Sequence, residues 1–272
     1  METFSLIVCN YNNGDFFRKC FESIQRQTYN NFEVIIIDDC STDNSREIIQ
    51  QLIGDNPKFK FYTNDVNKGY AYTLHKGIML ATGKLIARLD PDDAIYENAI
   101  EESIKHFKSQ NIIATYSQIR LCDNNLNPQN LYPRTRTIKN GDPMFFNINN
   151  EVSHFFTFRK EAYLQTEGIN ENLSSSVDFD LYLKLYEKGN FHYIKQPLYL
   201  YRQHPKGISQ DKTKKDRIYK NWNKVLYDTC QRRKITKLYG NKLTEDLDLA
   251  RIIFQNQNRF IDKLKRFISS KL

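Results

Sequence analysis

Apolar residues come in short runs along the first 120 positions, and between the runs they recur at helical spacing. Phe4 to Cys9 is one run, Phe16, Phe17, Cys20, Phe21 and Ile24 then fall on one helical face, and Phe32 to Ile37 is a second run. A buried strand, a helix and another buried strand predict a right-handed βαβ unit, hence a parallel sheet whose ligand sits at the strands' carboxyl ends. The alternation continues with a helix over 43–52, a strand over 59–62, a helix over 70–81, a strand over 84–89, a helix over 97–107 and a strand over 112–117. Residues 123–143, rich in Asn and Pro and weakly periodic, predict a loop between two halves. Beyond it the pattern predicts a strand over 152–158, a helix over 178–187, a strand over 191–194, a polar stretch over 204–215 and a helical tail from Asp211 onward.

Composition narrows the class. With 272 residues, 40% hydrophobic and 13% aromatic, the chain can bury a sizeable core and has room for one large domain plus an appendage. Its five cysteines are odd in number, scattered and never spaced as CxxC, so neither a disulfide framework nor a zinc site is expected, and a reducing compartment fits best. No apolar run approaches the roughly 18 residues that span a bilayer, and the N-terminus is too short and too acidic for a signal peptide. The expectation is a cytoplasmic protein. The net charge of +8 is uneven: from Lys206 onward there are 18 Lys and Arg against 7 Asp and Glu, so the basicity belongs to the tail.

Acidic residues gather where the strands end. Asp38 and Asp39 close the second strand, and Asp39 is suited to accept the imide NH of uracil while Tyr11, after the first strand, offers a face for base stacking. The plainer alternatives are a turn aromatic and helix caps, roles that Asp38, Asp39, Ser41 and Asp43 all suit. Asp90-Pro91-Asp92-Asp93 places three carboxylates after a buried strand, a repulsive arrangement that a hard divalent cation, Mg²⁺ or Mn²⁺, relieves by bridging to phosphate oxygens. Its alternative is a solvated acidic turn. Asp178 and Asp180 open a helix, where acidic residues favour the first turn; a general base there requires burial or nearby negative charge to raise an ordinary pKa of about 3.9.

The combination SerLeuIleValCysAsnTyrAsn at 5–12, IleIleIleAspAspCysSerThrAspAsnSer at 35–45 and LeuAspProAspAsp at 89–93 resembles family 2 glycosyltransferases. The likeness continues through AsnLysGly at 67–69, AlaThrGly at 81–83, ValAspPheAspLeuTyrLeuLysLeu at 177–185 and ProLeuTyrLeuTyrArgGlnHis at 197–204, spanning about residues 3–205. It implies an α/β GT-A nucleotide-sugar-binding fold with a central, mostly parallel sheet flanked by helices, over residues 1–205. Residues 1–120 would form the nucleotide-sugar half and 140–205 the acceptor half, with a basic helical C-terminal appendage over 206–272.

The activity implied is inverting transfer of a sugar from a nucleotide diphosphate, usually of uridine, to a hydroxyl of a saccharide or lipid-linked acceptor. Tyr11, Asp39, Lys68, Asp90 and Arg202 would hold the donor, Asp92, Asp93 and His204 the metal, and Asp178 would be the general base. Arg202 and His204 carry the competing reading of a surface ion pair and a turn histidine. His154, in the segment corresponding to the acceptor pocket, is an acceptor candidate or a satisfied core histidine. The chain departs from the family's usual Arg-Asn with Leu74-His75, which puts phosphate contacts in question, and from Glu-Asp with Val177-Asp178, which keeps the base.

Leu249, Ile253, Phe260, Leu264, Phe267 and Ile268 approximate one apolar face beside Arg259, Lys263, Lys265, Arg266 and Lys271. Such a face rests on an anionic membrane, packs on the catalytic domain or pairs subunits into a homo-oligomer. A nucleic-acid partner is not expected, because no nucleic-acid motif accompanies the charge. The rival readings are a nucleotidyltransferase on a related sheet, disfavoured by a single glycine in Asn10-Tyr11-Asn12-Asn13-Gly14, and a non-catalytic nucleotide-sugar-binding scaffold.

Overall fold

The computed structural model describes residues 3–205, 207 and 215–258. Its first part follows the predicted alternation: β1 (Phe4–Asn10), α1 (Gly14–Gln25), β2 (Phe32–Asp38), α2 (Ser45–Ile53), β3 (Phe59–Thr63), α3 (Tyr70–Leu80) and β4 (Leu85–Arg88). β1 pairs in parallel with β2 from Phe4 opposite Phe32 to Asn10 opposite Asp38, and on its other side with β4 from Phe4 opposite Leu85 to Ile7 opposite Arg88. The chain thus steps outward from β1 to β3, and α3 carries it back to β4. At such a switch point, beyond the carboxyl ends of β1 and β4, a doubly wound sheet places its ligand crevice.

β1, β2 and β4 are buried and largely apolar on both faces because both are covered, whereas β3, at the sheet edge, is only partly buried. Ile7, Ile35, Ile37 and Ile86 pack with Ala71, Leu74 and Ile78 of α3. Leu6, Val8, Val34, Ile36 and Ala87 face the other way, against Phe17, Cys20 and Ile24 of α1 and Ile49 of α2. Gly77 lets α3 sit close on the sheet: a Cβ there would lie 2.6 Å from Ile7 Cγ2.

The second part departs further from the expected pattern. It comprises β5 (Ala94–Ile95), α4 (Ala99–Lys105), β6 (Ile112–Cys122), β7 (Pro128–Leu131), β8 (Thr157–Arg159), α5 (Lys160–Leu164), α6 (Val177–Tyr186) and β9 (Asn190–Arg202). The nine-stranded sheet runs β3-β2-β1-β4-β8-β6-β9-β5 with β7 on β6, and β5, β7 and β8 are antiparallel to their neighbours. β6 and β9 pair in parallel as far as Cys122 opposite Arg202, well past the expected ends at 117 and 194, with register shifts around Gln118 that break the alternation. β7 lies inside the expected loop. Of the strand expected over 152–158, only Thr157 and Phe158 join the sheet; before them, side chains serve the backbone, Asn147 bonding both polar groups of Val152 and Ser117 Oγ accepting from the Phe155 amide.

The tail is not uniformly helical. α7 (Lys215–Arg232) is followed by a hairpin of β10 (Lys237–Leu238) and β11 (Asn241–Lys242), then α8 (Leu249–Gln257). The hairpin turns at Tyr239 and Gly240, both with positive φ (47° and 86°), the backbone that matches the twist of paired strands. Val225, Leu226, Cys230, Leu249, Ala250 and Ile253 are buried in the same core as Phe156, Phe179 and Leu183, so the core is continuous across residue 205. Trp222 stacks on Phe179 with ring centroids 5.4 Å apart. Leu249 and Ile253 of the apolar stripe therefore face the protein core, while Phe260, Leu264, Phe267, Ile268 and the basic residues beside them lie outside the described residues. No helix among the described residues is long and apolar enough to cross a membrane.

Glu187, just past α6, joins the tail to the domain by accepting from Arg232 at 2.9 Å and Arg233 at 3.0 Å. Arg233 is 7% exposed, so losing this partner strands a buried charge. Glu187→Ala is predicted to cost about 3 kcal/mol in urea denaturation. Glu22→Ala, which removes an exposed pair with Lys19, is predicted to leave the midpoint in place.

Candidate active site

The crevice is walled by the residues that follow β1, β2 and β4. Asp38, the last residue of β2, is consumed by the fold: it accepts from Asn10 Nδ2 at 2.8 Å, the Ser41 amide at 2.9 Å and Arg46 Nε at 2.7 Å. Burial alone would raise its pKa, but the bonds from Ser41, Arg46 and Asn10 outweigh it and hold the carboxyl below its ordinary value. Asp39 accepts at 2.8 Å from each of Asn64 Nδ2, the Lys68 amide and the Gly69 amide, the last made possible by Gly69 at φ +85°. It pins the 64–69 loop to the end of β2, and of about four lone-pair sites on a carboxylate one is left. Tyr11 is 43% exposed at the end of β1. Lys68 meets Asp39 through its backbone, while its ammonium lies 5.8 Å from the Tyr72 ring centroid.

The turn after β4 carries the three clustered carboxylates, and they face different partners. Asp93, 2% exposed, accepts from Tyr199 Oη and from the Arg202 amide, each at 2.7 Å, which fastens β9 to the turn. Asp92 Oδ2 lies 2.9 Å from His204 Nε2. Arg202 donates through Nε to the Asp92 carbonyl and through Nη1 to the Asn124 carbonyl at 2.6 Å, and its guanidinium covers the Phe16 ring at 4.9 Å. Arg202 and His204 are 6% and 4% exposed, which removes the surface ion pair for Arg202, while His204 does open a turn, its carbonyl accepting from the Gly207 amide at 3.0 Å. Burial and repulsion from Asp90 push Asp92 up; burial with repulsion from Asp92 and Asp90 pushes Asp93 well up. Among the described residues no three His, Cys, Asp or Glu side chains converge to hold a metal ion. Asp92 and His204 form a two-donor pair at the crevice edge, with Asp93 turned to the fold.

The apolar strand β4 ends in a buried cation. Arg88 donates through Nη1 to Asp90 Oδ1 at 2.6 Å and through Nη2 to Asp178 Oδ2 at 2.5 Å. Nη2 also lies 3.1 and 3.2 Å from the two ring nitrogens of His154. His154 stacks on Tyr199 at 4.6 Å between centroids, and burial together with Arg88 pushes its pKa down to about 3, so the ring is neutral. It is therefore a partner within the site. The sequence reading passed over Arg88; its one signal was a charge at the end of LeuIleAlaArg, directly before the acidic turn.

Asp178 and Asp180, two residues apart and so about 200° apart around α6, face opposite ways. Asp180 points into the core and pairs with Lys184 at 2.7 Å. Asp178 faces the crevice from the first turn of α6, with Tyr70 Oη 3.5 Å from Oδ1. Burial raises its pKa, Arg88 pulls it back and Asp90 adds to the rise, leaving it at about 6. The two residues that replace the family's usual Arg-Asn serve the packing of α3: Leu74 is 1% exposed in the core, and His75 Nδ1 lies 2.7 Å from Tyr163 Oη.

Comparison with known proteins agrees with this geometry. Residues 5–165 match the model described as Glycosyl transferase family 2. The chain belongs to that family. The chain is 31% identical over 254 residues to hyaluronan synthase of Pasteurella multocida, an alignment covering 91% of the chain and 25% of the relative. The chain thus spans about a quarter of that protein's length. Among solved structures it resembles S. aureus TarS 1–349 in complex with UDP-GlcNAc, with a TM-score of 0.71 at 16% identity over 96% of this chain and 77% of that one. It also resembles the mannosyltransferase PcManGT of Pyrobaculum calidifontis in complex with GDP-Man and Mn²⁺, with a TM-score of 0.57 at 16% identity over 93% and 68%. At such identities the likeness shows the fold alone, and the fold is the α/β GT-A architecture expected from the sequence.

The raised Asp178 carboxyl makes a prediction for stability. Its pKa moves from 3.8 to about 6 on folding, so the folded protein holds this proton more tightly than the unfolded chain. The stability it contributes is full below the unfolded value and is lost as pH rises through about 6. Asp178→Asn, neutral throughout, is predicted to melt above the wild type at about pH 8, with the gap closing below about pH 4. Melting curves across that range check it; a gap that is constant with pH contradicts the shifted pKa.

Proposed function

We propose that this glycosyltransferase moves a sugar from a UDP-sugar to a hydroxyl of a saccharide or lipid-linked acceptor, inverting the anomeric carbon, with Asp178 as general base. The observation that carries the reading is the placement of Asp178. It is half-buried at the carboxyl edge of the sheet, raised to about 6, and joined through one guanidinium to the acidic turn. At neutral pH such a group is mostly ionised yet more basic than an ordinary aspartate, which suits deprotonation of an acceptor hydroxyl.

The donor side follows from the other wall. Tyr11 offers an exposed ring for stacking on the base, and the remaining lone-pair site of Asp39 suits a uracil imide NH. Asp90 and the Lys68 loop border the ribose and diphosphate. The donor set fits a hard divalent cation: Asp92 and His204, whose Oδ2 and Nε2 meet at 2.9 Å, would hold it. A bound Mg²⁺ or Mn²⁺ supplies charge neutralisation for the departing diphosphate. A donor of the kind bound by TarS and a cation of the kind bound by PcManGT both agree with this reading. Arg202, bonded to the Asp92 carbonyl, holds the turn from behind. In the reaction itself the acceptor oxygen, losing its proton to Asp178, attacks the anomeric carbon from the face opposite the leaving nucleotide.

Asp178→Asn is expected to lower kcat by roughly 10²–10⁴-fold and leave donor affinity unchanged. Asp92→Ala is expected to weaken donor binding in Mn²⁺ and to erase the difference between binding with and without the metal. Turnover and titration calorimetry on both variants test the assignment. Wild-type turnover in Asp178→Asn would return that residue to a helix-terminus role.

A further inference from the structure

Asp90 and Asp178 lie 88 residues apart in sequence and arrive from different halves of the fold, yet both are held by adjacent terminal nitrogens of one side chain. Arg88 is itself tightly held. Its side chain is 6% exposed, the His154 ring meets Nη2, Tyr199 backs that ring, and the Tyr70 ring lies 5.9 Å from its Cζ. A guanidinium is planar and permanently charged, so it fixes direction as well as sign. It also engages only Oδ2 of Asp178, and Oδ1 is left with a single long contact to Tyr70.

We propose that Arg88 is a positioning residue for the transfer reaction: it holds Asp178 at a fixed spacing from the donor-binding turn and orients Oδ1 as the oxygen that takes the acceptor's proton. This rests on Asp178 being the general base. Two like charges drawn this close in a buried place repel, and the cation between them lets both remain ionised and in register. A lysine keeps the charge but presents a single nitrogen, so it cannot bond both carboxylates in the same geometry.

Arg88→Lys and Arg88→Met are the variants to compare, with melting temperature measured first and donor affinity measured by calorimetry. Arg88→Lys is expected to keep donor Kd within about 3-fold while kcat falls roughly 10–100-fold, the scale of a misplaced reacting group. Arg88→Met is expected to fall further and to move the acidic limb of the kcat–pH profile upward, because the cation that draws Asp178 down is gone. If Arg88→Met does not fold, the Lys variant carries the test through a double-mutant cycle. Arg88→Lys is expected to cost nothing more in an Asp178→Asn background, since the oxygen it orients no longer acts. Wild-type kcat and pH profile in Arg88→Lys, or losses that simply add in the cycle, would overturn the proposal. Turnover that survives Asp178→Asn alone would instead overturn the base assignment, so the two failures are distinguishable.

Discussion

Like charges brought to one edge of a sheet repel, and six aspartates meet at the carboxyl edge of this one. The fold is organised around answering that repulsion. Asp38 is answered by Ser41 and Arg46, Asp39 by the Lys68 and Gly69 amides, Asp93 by Tyr199 and the Arg202 amide, Asp92 by His204, and Asp90 with Asp178 by Arg88. Several of these partners come from far along the chain. Neutralising the first half's acidic turn is therefore also what docks β9 and α6 against it, and the crevice is a product of that docking.

The answers are unequal, and the inequality separates roles. Asp38 is held low by hydrogen bonds despite burial, and Asp90 is held low because the charge and hydrogen bond of Arg88 overcome its burial. Asp92, Asp93 and Asp178 remain raised, for the opposite balance of the same forces. Groups of one chemical type whose environments drive their pKa values apart are a recurrent basis for dividing acid, base and binding work within a site. Here the raised group facing the crevice from α6 is Asp178, while Asp93 is turned toward β9.

Much of this was legible in the sequence, for physical reasons that also explain what was not. β1, β2 and β4 are covered on both faces and the helices between them on one, so runs and 3.6-residue spacing report the fold directly. The carboxylates at the strand ends were visible because parallel strands place their last residues in the crevice. β6 and β9 looked short because register shifts interrupt their alternation, and β8 was misplaced because side chains of Asn147 and Ser117 take over the bonding of the backbone before it. Arg88 escaped because a strand-end arginine reads as solvated until its partners, 2 and 90 residues away, are seen together. The hairpin between α7 and α8 was hidden by the helical bias of its flanks, although Tyr239-Gly240-Asn241 carries turn chemistry.

On the proposed reading, the acidic crevice takes a nucleotide when a hard cation balances its charge. Thermal melting of the chain alone, with UDP, with Mn²⁺, and with both tests it most directly, since a ligand at about 100 times its Kd stabilises the folded state by about 2.7 kcal/mol. UDP and Mn²⁺ together are expected to raise the Tm by more than the sum of their separate effects. Equal melting temperatures in all four conditions would contradict it.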